Sequence, residues 1–293
     1  FGSSVMNHPA ELALAQYMTD AANGKAVLSE DTIQRIGKDV MDALARQFGG
    51  GNKRGKFGLR MSNIGRPSCQ LWFQKNQPDK ALPLPSNFVM NMMLGDIVEA
   101  IFKGLLTEAK VEYGDADTVE LDLPDQDTKI KGTYDIEIDG AVDDIKSASD
   151  WSYRNKFKDY ATLKAHDSFG YVGQLAGYAK ASGLKAGGWW VVNKANGSFK
   201  YVPANGLDMM EEMYHINKTV KTVNKNEFKR CFDAVDETFN GKLTGNKILG
   251  SECGWCSFRK TCWPEMKELP ALKSRAKEPK IVSYVHIEKE STV

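Results

Sequence analysis

The chain has 293 residues, 42% hydrophobic and 26% charged, and its 39 Lys and Arg against 38 Asp and Glu give a formal net charge of +1. That length buries one large α/β domain with additions, or two small ones. So balanced a charge excludes a polycation that coats nucleic acid through a global field, and any basic contact surface has to be local. No run approaches the roughly 18 apolar residues of a membrane-spanning helix. No signal peptide is visible, and Phe1–Val5 before Met6 reads as an expression remnant. Cys69, Cys231, Cys253, Cys256 and Cys262 make an odd count that argues against a secreted disulfide framework. The expectation is a cytoplasmic, reducing setting without membrane contact.

Residues 8–48 carry a helical period. Leu12, Leu14, Ala15, Tyr17 and Met18 predict one helix. A second runs from Asp31 through Ile33, Ile36, Val40, Met41 and Leu44 to Phe48, where Gly49-Gly50-Gly51 stops it. Both read as packing helices of an N-terminal region, residues 1–58. Lys53 to Arg66 contains Lys53, Arg54, Lys56, Arg60 and Arg66 and no acid, so it is a solvated loop or a local contact for phosphates. Ser68, after Pro67, can cap a helix carrying Leu71, Trp72 and Phe73, where Cys69 alone reads as a core thiol. After a loop with Pro78, Pro83 and Pro85, Ser86 to Leu106 predicts a long helix with Val89, Met93, Ile97, Ala100, Ile101 and Leu105 apolar. Val98 and Ile101 flank its Glu99, so that sector is not plainly wet. Val111 to Leu123 predicts a strand or two.

Lys131 to Ser147 then places Asp139-Gly140 between two β-prone runs, the strongest short-range hairpin signal. With those two residues as the loop, Ile138 faces Ala141, Glu137 faces Val142, Ile136 faces Asp143 and Asp135 faces Asp144. Alternation puts Asp135, Glu137, Asp144 and Lys146 on one face, and Asp143 on the other beside Ile145. Opposed like charges are destabilising. The alternatives are solvated hairpin acids or a cation site. Lys146 favours the second, because two acids and an ammonium can hold a metal, activate a water and offset charge on an attacked phosphate.

Residues 150–167 mix aromatic and basic side chains, including Trp151, Tyr153, Arg154, Lys156 and Phe157, as an amphipathic helix or a single-strand contact would. Ser168 to Ala181 predicts a helix ended by Gly183, with Gln174 and Tyr178 on one face. Strands follow at Trp189–Asn193 and Ser198–Val202. Met209 to Phe239 reads as helix with Cys231 a buried thiol inside it. Cys253, Cys256 and Cys262 form C-x2-C-x5-C, the spacing of a soft-metal or cluster site and poor for a zinc ribbon. Trp255, Phe258 and Trp263 would shield it. Residues 265–293 read as a tail with a late strand over Lys280–Ile287.

Gly132-Thr133-Tyr134-Asp135 followed by Asp144-Ile145-Lys146 resembles the core of the PD-(D/E)xK nuclease superfamily in its RecB-like branch, with Asp144 where Glu is commoner. Gly95-x-x-x-Glu99 and Gln174-x-x-x-Tyr178 resemble the branch's flanking motifs. Ser62-Asn63-Ile64-Gly65-Arg66-Pro67-Ser68-Cys69-Gln70-Leu71-Trp72, with the three C-terminal cysteines, resembles the iron–sulfur staple of its phage-exonuclease, CRISPR-adaptation and AddB-type members. The resemblance covers about Leu59 to Pro264. It implies an α/β fold with a restriction-endonuclease-like mixed β-sheet core flanked by helices over 59–264, and leaves 265–293 as the C-terminal tail. It also implies Mg2+- or Mn2+-dependent exonucleolytic hydrolysis of DNA. Glu99, with Asp96 as alternate, would hold the metal with Asp135 and Asp144. Lys146 would position or activate the water and stabilise the charge of the attacked phosphate, and Gln174 and Tyr178 would orient the site. Cys69, Cys253, Cys256 and Cys262 would bind a 4Fe–4S cluster. Arg60, Arg66, Arg154, Lys156 and Tyr178 would contact DNA. CRISPR-type end trimming and a non-catalytic nucleic-acid-binding module remain as rivals. Polarity, strand preference and oligomeric state stay open.

Overall fold

The computed structural model describes residues 6–49 and 56–289. Phe1–Val5, Lys53 and Arg54, and most of the triple glycine lie outside them. The fold is mixed α/β, and the chain forms two compact units, Phe1–Gly65 with Pro85–Val220, and Arg66–Leu84 with Lys221–Val293. Among the described residues, no helix is long and apolar enough to cross a membrane.

In the first unit, α1 (Pro9–Ala22) starts with a capping box, in which His8 accepts from the chain and Glu11 reaches back to the His8 amide. Ser29 caps α2 (Glu30–Phe48). This helix lies along α4 (Phe88–Glu108), where Gly104 lets Thr32 and Ile36 approach the backbone. Only one side of α2 is covered. Ile33, Met41, Leu44 and Phe48, expected to pack, are exposed. The period was right but the apolar arc is wider than the contact.

β1 (Asp117–Leu123) and β2 (Thr128–Tyr134) form an antiparallel ribbon. β3 (Ile136–Ile138) and β4 (Ala141–Ala148) form the expected hairpin in the expected register. Asp139 (φ 52°) and Gly140 (φ 73°) are both left-handed, as a two-residue primed turn requires. From β4 the chain passes through a π-helical turn (Ser152–Lys156), α5 (Tyr160–Ala165) and α6 (Tyr171–Ser182). It then enters β5 (Lys185–Asn193), which is parallel to β4, and β6 (Phe199–Pro203) returns antiparallel. The result is a mixed four-stranded sheet, β3-β4-β5-β6. Both faces are buried. Val142, Ala148, Trp189 and Val191 pack with Leu175 and Ala179 of α6 and with Ile216 and Val220 of α7 (Met209–Val223). Ile136, Ile138, Ile145 and Trp190 pack with Leu14 of α1 and with Phe102 and Leu106 of α4. Strand alternation fixes which β4 side chain meets which helix layer.

In the second unit, α3 (Ser68–Asn76) carries Trp72 and Phe73 into a small core with Phe258. The expected helix to Phe239 stops at Val223. β7 (Val235–Phe239) and β8 (Lys242–Ile248) follow, turning at Asn240-Gly241, both with positive φ. Asn-Gly is as strong a hairpin signal as the Asp-Gly used upstream, and it outweighs the helical tendency of the preceding residues. The short helices α8 (Ser251–Gly254) and α9 (Arg259–Cys262) follow, then β9 (Lys267–Pro270) and β10 (Ile281–His286). The strand order is β7-β8-β10-β9. The segment read as a tail therefore contributes two strands, and Tyr284 is buried, its hydroxyl donating to Glu237 at 2.7 Å.

Candidate active site

Asp135 occupies the break between β2 and β3. The β3–β4 ladder ends at the Ile136–Asp143 pair. One residue beyond, the Asp135 carboxylate takes the place of a ladder carbonyl and accepts from the Ile145 amide at 2.7 Å. This holds Asp135 beside Asp144, as strand parity predicts. Asp144 is only 3% exposed, and Lys146 Nζ lies 2.7 Å from its Oδ2. The contact is an ion pair without hydrogen-bond alignment, which leaves that buried oxygen short of a directed donor.

α6 supplies the other side. Asp167 accepts from the Tyr171 and Val172 amides, both at 2.8 Å, and fixes where the helix begins. Lys146 donates to Gln174 Oε1 at 3.2 Å, and Gln174 Nε2 donates to the Tyr178 hydroxyl at 3.4 Å. The Lys146 ammonium also lies over the Tyr171 ring, 4.7 Å from its centroid. Gly132 explains the close seating: a Cβ there would run into Met61 and Tyr178. Gly177 likewise leaves room for Met61, and Gly173 for the backbone of Gly65.

Burial, then the charges of Asp144 and Glu99, holds the Asp135 carboxyl well above the usual range. Burial works against the Lys146 ammonium, but Asp144 and Asp135 outweigh it and raise its pKa. Tyr178 is pushed up to about 12 by burial and then by Asp144. Lys146 is therefore a cation at neutral pH, and Tyr178 a neutral hydroxyl.

Glu99 on α4 acts on Asp135 electrostatically, but its carboxylate pairs with Lys103 at 3.2 Å, one helical turn on. Lys103 also meets Asp115 at 3.6 Å. Asp96, the alternate, faces α2 instead, accepting from Gln47 at 3.1 Å and pairing with Arg46 at 3.3 Å. Glu137 stands opposite Val142 as expected and bridges to Gly114. Asp143 is on the other face, accepting from the Tyr201 hydroxyl at 2.8 Å and Trp190 Nε1 at 3.1 Å, and burial raises it to about 7. Gly187 makes room for its carboxylate.

The expected DNA contacts fare differently. Arg60 is exposed and bridges to Lys131 on β2. Arg154 is exposed and donates to both oxygens of Asp150, at 2.9 and 3.1 Å. Arg66, in the second unit, is half-buried. Lys156 is buried, with its ammonium 4.5 Å from the Phe169 centroid and 4.9 Å from Tyr171. The π-turn rotates it inward, away from the solvent-facing role read from its neighbours. Sequence reading missed Tyr171, Asp167 and Lys103. Only Asp167, a capping residue just ahead of an apolar helical run, carried a local signal.

In the second unit, Cys69, Cys253, Cys256 and Cys262 line one cavity, with Phe73 and Trp263 among its walls. Arg230 donates to the Cys262 carbonyl at 3.0 and 2.7 Å and lies 3.7 Å over the Trp263 ring. Trp255, expected to shield the cysteines, is 86% exposed, whereas Phe258 and Trp263 are buried. Cys231 is neither helical nor buried, because α7 ends before it. Its sulfur accepts from the Cys69 amide at 3.1 Å and lies 3.4 Å from Ser68 Oγ. The Cys69 thiol and these groups lower Cys231 to about 6, and that same thiol bond with burial raises Cys69. Burial pushes Cys253 up to about 11. Among the described residues, no three His, Cys, Asp or Glu side chains are grouped closely enough to hold one metal ion.

No protein-family model and no curated protein matches the chain. Among solved structures, the crystal structure of SSO0001 aligns with a TM-score of 0.40 and 12% identity, over 79% of this chain and 96% of that one. A likeness at that level carries no argument about fold family or activity.

Proposed function

We propose that the chain is a metal-dependent deoxyribonuclease of the RecB-like PD-(D/E)xK kind, acting on DNA ends, with a restriction-endonuclease-like core in the first unit and a 4Fe–4S cluster in the second. The observation that carries this reading is the meeting of Asp135, Asp144, Lys146 and Gln174 from a strand break, a strand and a helix. A degenerate scaffold has no need to hold two acids, one of them buried, against one ammonium.

The carboxylates of Asp135 and Asp144 are the kind of donor a hard divalent cation takes. Asp144 Oδ2 is buried without a directed donor, and burial, then the like charges beside it, push the neighbouring Asp135 carboxyl toward protonation. Asp135 and Asp144 would hold Mg2+ or Mn2+, and Glu99 would join as the third acid on leaving Lys103. When bound, the ion supplies Lewis acidity and a nucleophilic water. Lys146 stays protonated and so offsets charge on the attacked phosphate rather than taking a proton. Gln174 fixes that ammonium, and Tyr178 donates as a neutral hydroxyl. Tight grouping about one point is not what a four-iron cluster needs. Each thiolate binds a different iron, so its ligands stand farther apart than the donors of one ion. Four thiols around one cavity fit that pattern. They come from both segments of the second unit, so the cluster would staple 66–84 to 221–293.

End-labelled linear and circular DNA, single- and double-stranded, should be tested with Mg2+, Mn2+ or EDTA. Cleavage of linear DNA that needs the metal, and that Asp135→Ala, Asp144→Ala and Lys146→Ala each abolish in folded protein, is expected. Cleavage unaffected by EDTA, or no cleavage of any substrate, would refute the reading.

A further inference from the structure

Tyr171 is the ring shared by two stacked pairs. Phe157, buried, lies 5.8 Å away at 23°, and Phe169 lies 5.7 Å away at 20° on the outer side. Phe169 is 49% exposed. A half-exposed aromatic residue is ordinary by itself. What distinguishes this one is its support and its charge. Two near-parallel rings continue its plane into the core. Gly170 (φ 78°) turns the backbone directly after it, packed against Gly65, and Asp167 pins the following amides. Lys146 and Lys156 bring two ammonium groups to the same stack.

Lys156 Nζ lies over both rings, nearly equidistant from the two centroids. The exposed part of Phe169 is the position where a further flat ring can stack. The contacts of 4.7 Å from Lys146 to Tyr171 and 5.7 Å from Tyr171 to Phe169 place this position close to the acid–lysine group. Laid end to end, those two contacts reach no farther than about three nucleotides of a strand rising about 3.4 Å each. Lys156 rides on a π-helical turn, a rare form found frequently at functional sites.

We propose that Phe169 is the platform on which a nucleobase of a single-stranded DNA end stacks, beside the Lys156 ammonium. This deepens the nuclease reading and rests on it. A base inside a duplex is already stacked on both faces, so the platform selects single strands or frayed ends. Stacking on an aromatic side chain is tolerant of sequence, which suits an enzyme that works along a strand.

The test uses full-length wild type and the variants Phe169→Ala, Phe169→Leu and Phe169→Trp. The probes are an oligodeoxythymidylate carrying one 2-aminopurine and a blunt duplex, with Ca2+ in place of Mg2+. Phe169→Ala and Phe169→Leu should bind the single strand about 5- to 150-fold more weakly, the range for one lost base stack. They should also fail to quench the 2-aminopurine. Phe169→Trp should keep both properties, and duplex affinity should not change in any variant. Phe169→Leu keeps an apolar side chain in place, so its loss of binding is not a loss of fold. Wild-type affinity and quenching in the Leu and Ala variants overturn the platform and leave the nuclease reading intact. A wild type that cuts duplex but binds no single strand does the same. A wild type that neither binds nor cuts any DNA overturns both.

Discussion

Replacing Lys146 by Met takes the ammonium away from two acids that remain. Asp144 is 3% exposed and the Lys146 side chain 18%, so neither charge is well hydrated. Breaking such a pair from one side costs about 3–5 kcal/mol, because the partner is left buried and uncompensated. For a unit of this size that corresponds to a fall in Tm of roughly 6–20 °C. Asp144→Asn acts the other way on the same count. It leaves Asp135 with Lys146, still lying over Tyr171, and turns two acids and one ammonium into one of each. Its Tm should be unchanged or raised. The pH dependence separates the two further. Asp135 is already raised, and losing Lys146 raises it more. Between the ordinary carboxylate range and that raised value, the native state binds more protons than the unfolded chain, so native stability falls as pH rises. Lys146→Met should therefore approach wild type at about pH 5 and fall farthest below it at about pH 8. Urea unfolding in EDTA, followed by tryptophan fluorescence, measures this. If Lys146→Met is as stable as Asp144→Asn at the higher pH, or if the gap does not narrow with acid, the buried-charge account is wrong.

Gly132→Ala should cost about 1–3 kcal/mol and lower kcat, because the new methyl displaces Met61 or Tyr178; steady-state rates with urea midpoints check it, and an unchanged rate would separate the seat of Tyr178 from catalysis. The acid limb of the activity profile should reflect the raised Asp135 carboxyl, activity falling as pH drops through it, and should move to lower pH as Mg2+ is raised, since metal and proton compete for the same oxygens. Anaerobically purified protein should be brown with iron and sulfide and little zinc; Cys231→Ala should keep the colour because Cys231 does not line the cavity, while Cys262→Ala should lose it and make residues 221–293 protease-sensitive. Stoichiometric zinc without iron would remove the cluster.

The hairpin was legible because its information is local. Asp139-Gly140 sets the turn, the turn sets the register, and a period of two assigns Asp144 and Lys146 to one face and Asp143 to the other. The same rule applied to Asn240-Gly241 would have ended the over-long helix and freed Cys231 from it. The N-terminal helices show the opposite limit. A helical period says which residues share a side, not how wide the contact will be. So Thr32 and Ala43 are buried while Met41 and Phe48, equally apolar or more so, are exposed.

What the sequence hides at the site is the identity of partners far along the chain. Cys231 and Cys69 meet across 162 residues, and nothing near either one marks the other. Lys103 is more instructive, because it decides what Glu99 can do. The motif offers Glu99 as a free third acid, yet its carboxylate is held by Lys103, which is also within reach of Asp115. Asp115 is itself paired with Arg35 at 2.6 Å. An ammonium shared by two acids does not lose all compensation when one of them leaves. Glu99 can therefore turn toward Asp135 and Asp144 while Lys103 keeps Asp115, and the buried lysine is not stranded by the move. A lone Glu99–Lys103 pair would have resisted that exchange by the full cost of leaving an uncompensated buried charge.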